Sequence, residues 1–90
     1  MIKIEKRENE VHIVGHTLPD ICAAVSSVTT TIINCMIELC DENDYEYEYS
    51  SGDCTIKILK ETDNSKKLFD ILITELTDMT EDYPDYIKFA

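Results

Sequence analysis

The chain has 90 residues, enough for one domain with one core but too few to enclose a deep active site. Nineteen acidic residues face only eight basic ones. The resulting formal net charge of −11 disfavours a nucleic-acid partner, because phosphate contacts need clustered Lys and Arg. The same charge attracts basic partners such as a cationic peptide.

A hydrophobic fraction of 43%, with two Gly and two Pro, describes a globular chain rather than a disordered one. The start, Met-Ile-Lys-Ile-Glu-Lys-Arg, is polar by its fifth residue and lacks the pattern of a signal peptide. No apolar run approaches the ~20 residues of a membrane span. The expectation is one cytoplasmic domain over residues 1–90, with no membrane partner, in which Cys22, Cys35, Cys40 and Cys54 remain thiols. They form no Cys-x-x-Cys pair and have no His at ligand spacing, so no metal site is expected.

Ile2 and Ile4 alternate with Lys3 and Glu5, the period of a half-buried strand. After the polar turn Arg7-Glu8-Asn9-Glu10, Val11 to Val14 reads as a second strand, and the two form a hairpin. His12 falls between Val11 and Ile13 and so points to the opposite face, as a solvent-facing or partly covered strand residue. Gly15 ends the strand in a sharp turn. Pro19 and Asp20 open a helix, with Asp20 as the expected N-cap. From Ile21 to about Cys40, the positions Ile21, Val25, Val28, Ile32, Cys35/Met36 and Leu39 make a helical stripe. Ala24, Ile33, Ile37 and Cys40 widen it, which predicts a helix buried on much of its surface. The run Thr29-Thr30-Thr31 is poor in an isolated helix and requires tertiary burial.

Past the acidic break at 41–44, Tyr45, Tyr47 and Tyr49 alternate with Glu46 and Glu48, giving a strand with one aromatic and one acidic face. Ser50-Ser51-Gly52-Asp53 turns the chain into a return strand, where Cys54, Ile56 and Ile58 alternate with Thr55 and Lys57. The tyrosine row reads as the packed face of a sheet or a subunit interface, and alternatively as a wall for a peptide. Asp63 or Ser65 is the expected cap of a second helix running to about Met79, with Leu68, Ile71/Leu72 and Leu76 on one face. Pro84 prevents its continuation. Tyr86 to Phe89 offers a short last strand. The order ββαββα(β) predicts an α+β fold: an antiparallel sheet from two hairpins, with or without the C-terminal strand, covered by two helices.

The junction between the second strand and the first helix carries chemistry. It holds His16 and Cys22 with five residues between them. The thiolate, not the thiol, is the nucleophilic form of cysteine. First-turn N–H groups and the helix dipole favour negative charge at Cys22, and an imidazolium at His16 would pair with it. Amides around Cys22 and Ala23 are placed to receive an oxyanion. The Asp20 carboxylate opposes the thiolate from two residues away. As a bare pattern His-x5-Cys is weak, because a small Cys in a helix is more often core, which is the reading given to Cys35, Cys40 and Cys54.

Gly15-His16 followed by Cys22-Ala23-Ala24-Val25-Ser26 resembles the signature of the ribosomal-processing cysteine protease family known as Prp. Tyr83-Pro84-Asp85-Tyr86-Ile87 resembles that family's C-terminal region, and length and element order agree, so the resemblance covers nearly the whole chain. It implies a small homodimeric cysteine endopeptidase that needs no cofactor. Its substrate would be the N-terminal segment of a large-subunit ribosomal protein, or a similar basic peptide. It also implies Cys22 as nucleophile and His16 as base, with the segment between them as a mobile loop over the substrate. The sequence departs from the family there. Members have a longer, glycine-containing segment, whereas only Thr17-Leu18-Pro19-Asp20-Ile21 separates this pair, with Asp20 standing at a shifted offset for the family's acidic residue.

Two other readings remain open at the level of sequence. One is an acidic, dimeric adaptor of the same fold that binds a ribosomal or phage protein without cutting it. The other is a thiol redox sensor, which needs a resolving cysteine near Cys22; Cys54 is the candidate, through space rather than along the chain.

Overall fold

Strand and helix alternate in the expected order in a computed structural model that describes residues 1–90. The elements are β1 (Ile2–Lys6), β2 (Glu10–Val14), α1 (Pro19–Leu39), β3 (Tyr45–Ser50), β4 (Asp53–Ile58), α2 (Asp63–Asp82) and β5 (Ile87–Phe89). The hairpins β1–β2 and β3–β4 are antiparallel, and β4 joins β2 antiparallel, giving one sheet in the order β3-β4-β2-β1-β5. β5 departs from the antiparallel expectation: it lies parallel to β1, with Ile87 opposite Ile2. A parallel neighbour needs a crossover, and the last one in this chain runs through α2.

The two-residue period puts Ile2, Ile4, Val11, Ile13, Cys54, Ile56 and Ile58 on one face, and all are buried in a single core with α1 and α2. Ile4, Met36, Ile56, Leu72 and Leu76 are fully enclosed there. Burying a side chain of this size contributes about 1.5–3 kcal/mol.

Helix ends differ from the expected ones by one to three residues. α1 begins at Pro19, with Leu18 at the N-cap position and no side-chain cap, so Asp20 lies inside the first turn rather than capping it. Proline starts helices well because its φ is pre-set and its missing N–H would have had no helical partner. α2 is capped by Thr62, not by Asp63 or Ser65: Thr62 Oγ1 accepts the Ser65 N–H at 3.1 Å, while Ser65 Oγ accepts the Thr62 N–H at 2.8 Å. This reciprocal pair satisfies two donors that a helix start leaves open. The threonine run of α1 is accommodated by back-bonding, Thr29 Oγ1 to the Val25 carbonyl at 2.7 Å and Thr30 Oγ1 to that of Ser26 at 2.8 Å.

Burial on the helices is narrower than the apolar patterns imply. Ile37 and Leu39 of α1 and Ile71 of α2 are about half exposed, and Phe69 takes a core position instead. Contrary to the sequence reading, α1 is long and apolar enough to cross a membrane, with 21 residues and a mean hydropathy of 1.5. Its stripe of Ile21, Val25, Ile32, Ile33 and Met36 is packed into the core, a placement that accounts for that hydropathy.

Candidate active site

β2 ends at Val14, and the backbone then needs a conformation that L side chains avoid. Gly15 takes φ +113°, and a Cβ there would run into the Met1 carbonyl oxygen. Its N–H donates to the Gly52 carbonyl at 3.0 Å, and the Met1 nitrogen donates to the His16 carbonyl at 2.8 Å. These bonds pin the backbone around His16. The imidazole itself lies against Gly52, at the tip of the β3–β4 hairpin, where φ is +74° and a Cβ would collide with the His16 ring. The chain's only two glycines thus meet, and Gly52 makes the room for the histidine that follows Gly15.

Cys22 sits half-buried on the first stretch of α1. Its Sγ accepts the Thr17 N–H at 3.2 Å and its S–H faces the Thr17 carbonyl at 3.5 Å, so the connecting segment folds back onto the sulfur. A backbone N–H aimed at sulfur stabilises negative charge there. His16 and Cys22 line one cavity of about 270 Å³, together with Val25, Ser26, Tyr49, Ser51, Asp53 and Cys54. No hydrogen bond joins the imidazole to the thiol; the partner of Sγ is Thr17.

The amides expected to hold an oxyanion are not open. The Cys22 N–H donates to the Leu18 carbonyl at 2.9 Å, as does that of Ile21 at 3.0 Å. The cause is the earlier helix start: with Leu18 at the N-cap, Cys22 and Ala23 both lie beyond the amides that a helix leaves unpaired.

Cysteine environments separate the four thiols. Burial, followed by the charge of Asp53, pushes the Cys54 thiol up to about 11. At pH 7.5 such a group keeps roughly three molecules in ten thousand as thiolate. Cys40 is also raised, by burial first and then by Asp44 and Asp41. With limiting iodoacetamide at pH 7.5 and peptide mapping, Cys22 is expected to be alkylated first and Cys54 last. Labelling of Cys54 or Cys40 as fast as Cys22 would remove the reason for assigning Cys22 as nucleophile.

His12 stays outside this cavity. It sits on the sheet face opposite the helices, as the strand period implies, with Nε2 2.7 Å from Asp53 Oδ1 and Nδ1 3.9 Å from Glu5 Oε2. Two participants escaped the sequence reading. Thr17 acts through its backbone, which leaves no trace in residue type. Gly52 was legible only as a turn residue.

A family profile described as Cysteine protease Prp matches residues 1–88. The chain belongs to that family. Membership places it among cysteine proteases, on a frame where the two glycines, His16 and Cys22 share one end of the sheet. No curated protein matches it in sequence. Among solved structures it is similar to the essential ribosomal processing protease Prp from S. aureus in complex with a covalently linked product peptide. The TM-score is 0.81 at 19% identity, covering 98% of this chain and 94% of that one. The same S. aureus protease in complex with a substrate peptide gives 0.74 at 19% identity, covering 99% and 95%. A Streptococcus mutans protein gives 0.67 at 18% identity, covering 98% and 89%. At these identities the structural likeness establishes the Prp fold alone.

Proposed function

We propose that the chain is a Prp-type cysteine endopeptidase that cuts an extended, basic peptide through Cys22, with His16 as its base. The observation that carries this reading is that both residues line one cavity in a chain of a cysteine protease family. That S. aureus Prp was captured with substrate and product peptides supports a peptide as the ligand class.

In this reaction His16 removes the Cys22 proton and Sγ attacks the scissile carbonyl. The C–N bond then breaks to a thioester, and His16 returns the proton to the leaving amine. Water hydrolyses the thioester and releases the second product. Until substrate arrives, Sγ rests on Thr17; catalytic hydrogen bonds commonly tighten only in the substrate complex. The first-turn amide still open is that of Asp20, since Pro19 has none and those of Ile21 and Cys22 are engaged. Asp20 does not line the cavity that holds Cys22, so the cavity-lining hydroxyls of Ser26 and Ser51 are the donors offered to the oxyanion.

The substrate we assign is the N-terminal extension of a large-subunit ribosomal protein, processed in the cytoplasm by a homodimer of this chain. Incubation with the extended ribosomal protein of the same organism, followed by intact-mass analysis, is expected to show one discrete mass loss. An unchanged mass, with the chain folded and reduced and Cys22 slow to alkylate, would favour the non-catalytic adaptor. The exposure of Tyr47 and Tyr49 is the observation that keeps this second reading in place.

A further inference from the structure

β3 is an edge strand, paired with β4 on one side and with nothing on the other. Its ladder runs unbroken from Tyr45↔Ile58 to Ser50↔Asp53, and Tyr-Glu-Tyr-Glu-Tyr-Ser contains no Pro, Lys or bulge. Pro, bulges and charges usually stop an edge from accepting another strand; the only charges here, Glu46 and Glu48, repel an acidic strand and admit a basic one. On its helix-side face the helices do not reach the end of the row: Tyr45 packs against the core and stacks on Tyr47 at 6.4 Å, but Tyr47 and Tyr49 are 43% and 46% exposed. Its other face carries Glu46 and Glu48. Lys57 of β4 lies opposite Glu46, whereas Glu48 has only Thr55 across from it.

The C-terminal end of this strand is also part of the catalytic cavity, through Tyr49 and Ser50. We propose that the free edge of β3 receives the substrate as an added strand, with basic side chains beside Glu46 and Glu48 and apolar ones beside Tyr47 and Tyr49. This rests on the peptidase reading of the same cavity and adds the class of peptide it selects. Strand addition uses backbone bonds for affinity and alternate side chains for specificity. The six residues of β3 are about 20 Å long, enough for an extended peptide to run along the edge with one end at Cys22. A second copy of this chain is the poorer occupant. Pairing β3 with itself would gather glutamates on one face, and like charges directly opposite destabilise a ladder.

The test uses the full chain carrying Cys22→Ala, so that binding is read without turnover. The probe is a fluorescein-labelled ten-residue peptide of alternating Leu and Lys, measured by fluorescence anisotropy. Methylating its backbone nitrogens one at a time is expected to weaken binding about tenfold at every second position and little at the positions between. The variant Glu48→Lys, at a position with only Thr55 across the ladder, is expected to weaken binding roughly tenfold with its melting temperature unchanged. Uniform tolerance of N-methylation, or indifference to the charge reversal, would overturn the proposal. So would a dimer that disperses on charge reversal in a chain that binds no peptide, which would assign the edge to a second copy. Cleavage of the extended ribosomal protein by the parent chain is scored separately. Period-two binding without cleavage would sink the peptidase reading alone, and cleavage without periodicity would sink strand addition alone.

Discussion

Replacing Cys22 with Ala is expected to reduce cleavage of the extended ribosomal protein by roughly 10⁴-fold or more, because alanine supplies no atom to form the thioester. The fold should survive. Cys22 is only half-buried, at the margin of the core, and its sulfur bonds to the backbone of Thr17 at 3.2 Å and 3.5 Å. The change in stability is expected to stay within about 1 kcal/mol, as is usual outside a tightly packed core. Intact-mass analysis of substrate, run beside a thermal melt of each variant, separates the two effects. His16→Ala should cause a comparable loss, and the double variant should be little worse than either single one, because groups that act as a unit are not additive. Normal turnover by Cys22→Ala would end the assignment. Independent losses that multiply would show that His16 and Cys22 do not act as one unit.

The second large effect is expected at a residue with no reactive group. Gly52→Ala places a methyl where the His16 ring lies and also forces alanine into φ +74°. The backbone conformation costs about 1–2 kcal/mol for a residue with a Cβ. In a domain of this size that lowers the melting temperature by about 4–8 °C per kcal/mol. Activity should fall further than stability does, since a displacement of about 1 Å in a reacting group can cost 10²-fold in rate. Gly52→Asn distinguishes the causes. Asparagine tolerates left-handed backbone, so its stability should stay nearer the parent, but its Cβ meets the same ring. A loss of kcat in both variants, larger than their melting temperatures account for, is the expected outcome. Full activity in a folded Gly52→Asn chain would show that the imidazole does not need its seat on the hairpin.

Residues that reveal themselves through short-range periodicity were the legible ones. Ile2/Ile4, Val11/Ile13 and Cys54/Ile56/Ile58 announced three half-buried strands because burial on one face repeats every second residue. The stripe of α1 was equally visible, but Ile37, Leu39 and Ile71 were not separable from true core positions. How far a helix reaches across a sheet is a tertiary matter. The direction of β5 also escaped, since three residues carry no sign of which neighbour they will join or which way they will run. At the site, His16 and Cys22 stood out by residue type and by their place between strand and helix. Their partners did not: Thr17 contributes main-chain atoms, and the contact between Gly52 and His16 joins two loops far apart in sequence. The helix start, two residues earlier than expected, had the largest chemical consequence, because it closed the Cys22 amide that a later start would have left open.

The meeting of the two glycines also bears on when the chain can become competent during its synthesis. His16 and Cys22 both emerge early, but the hairpin tip on which the imidazole rests follows only after α1 and β3, and it is held in place by β4 zipping onto β2. Such long-range pairing is slow to form compared with local structure. A ribosome-bound or truncated chain ending before β4 would therefore carry both reactive side chains yet lack the surface that orients one of them. For the proposed peptidase, competence is tied in this way to closure of the sheet.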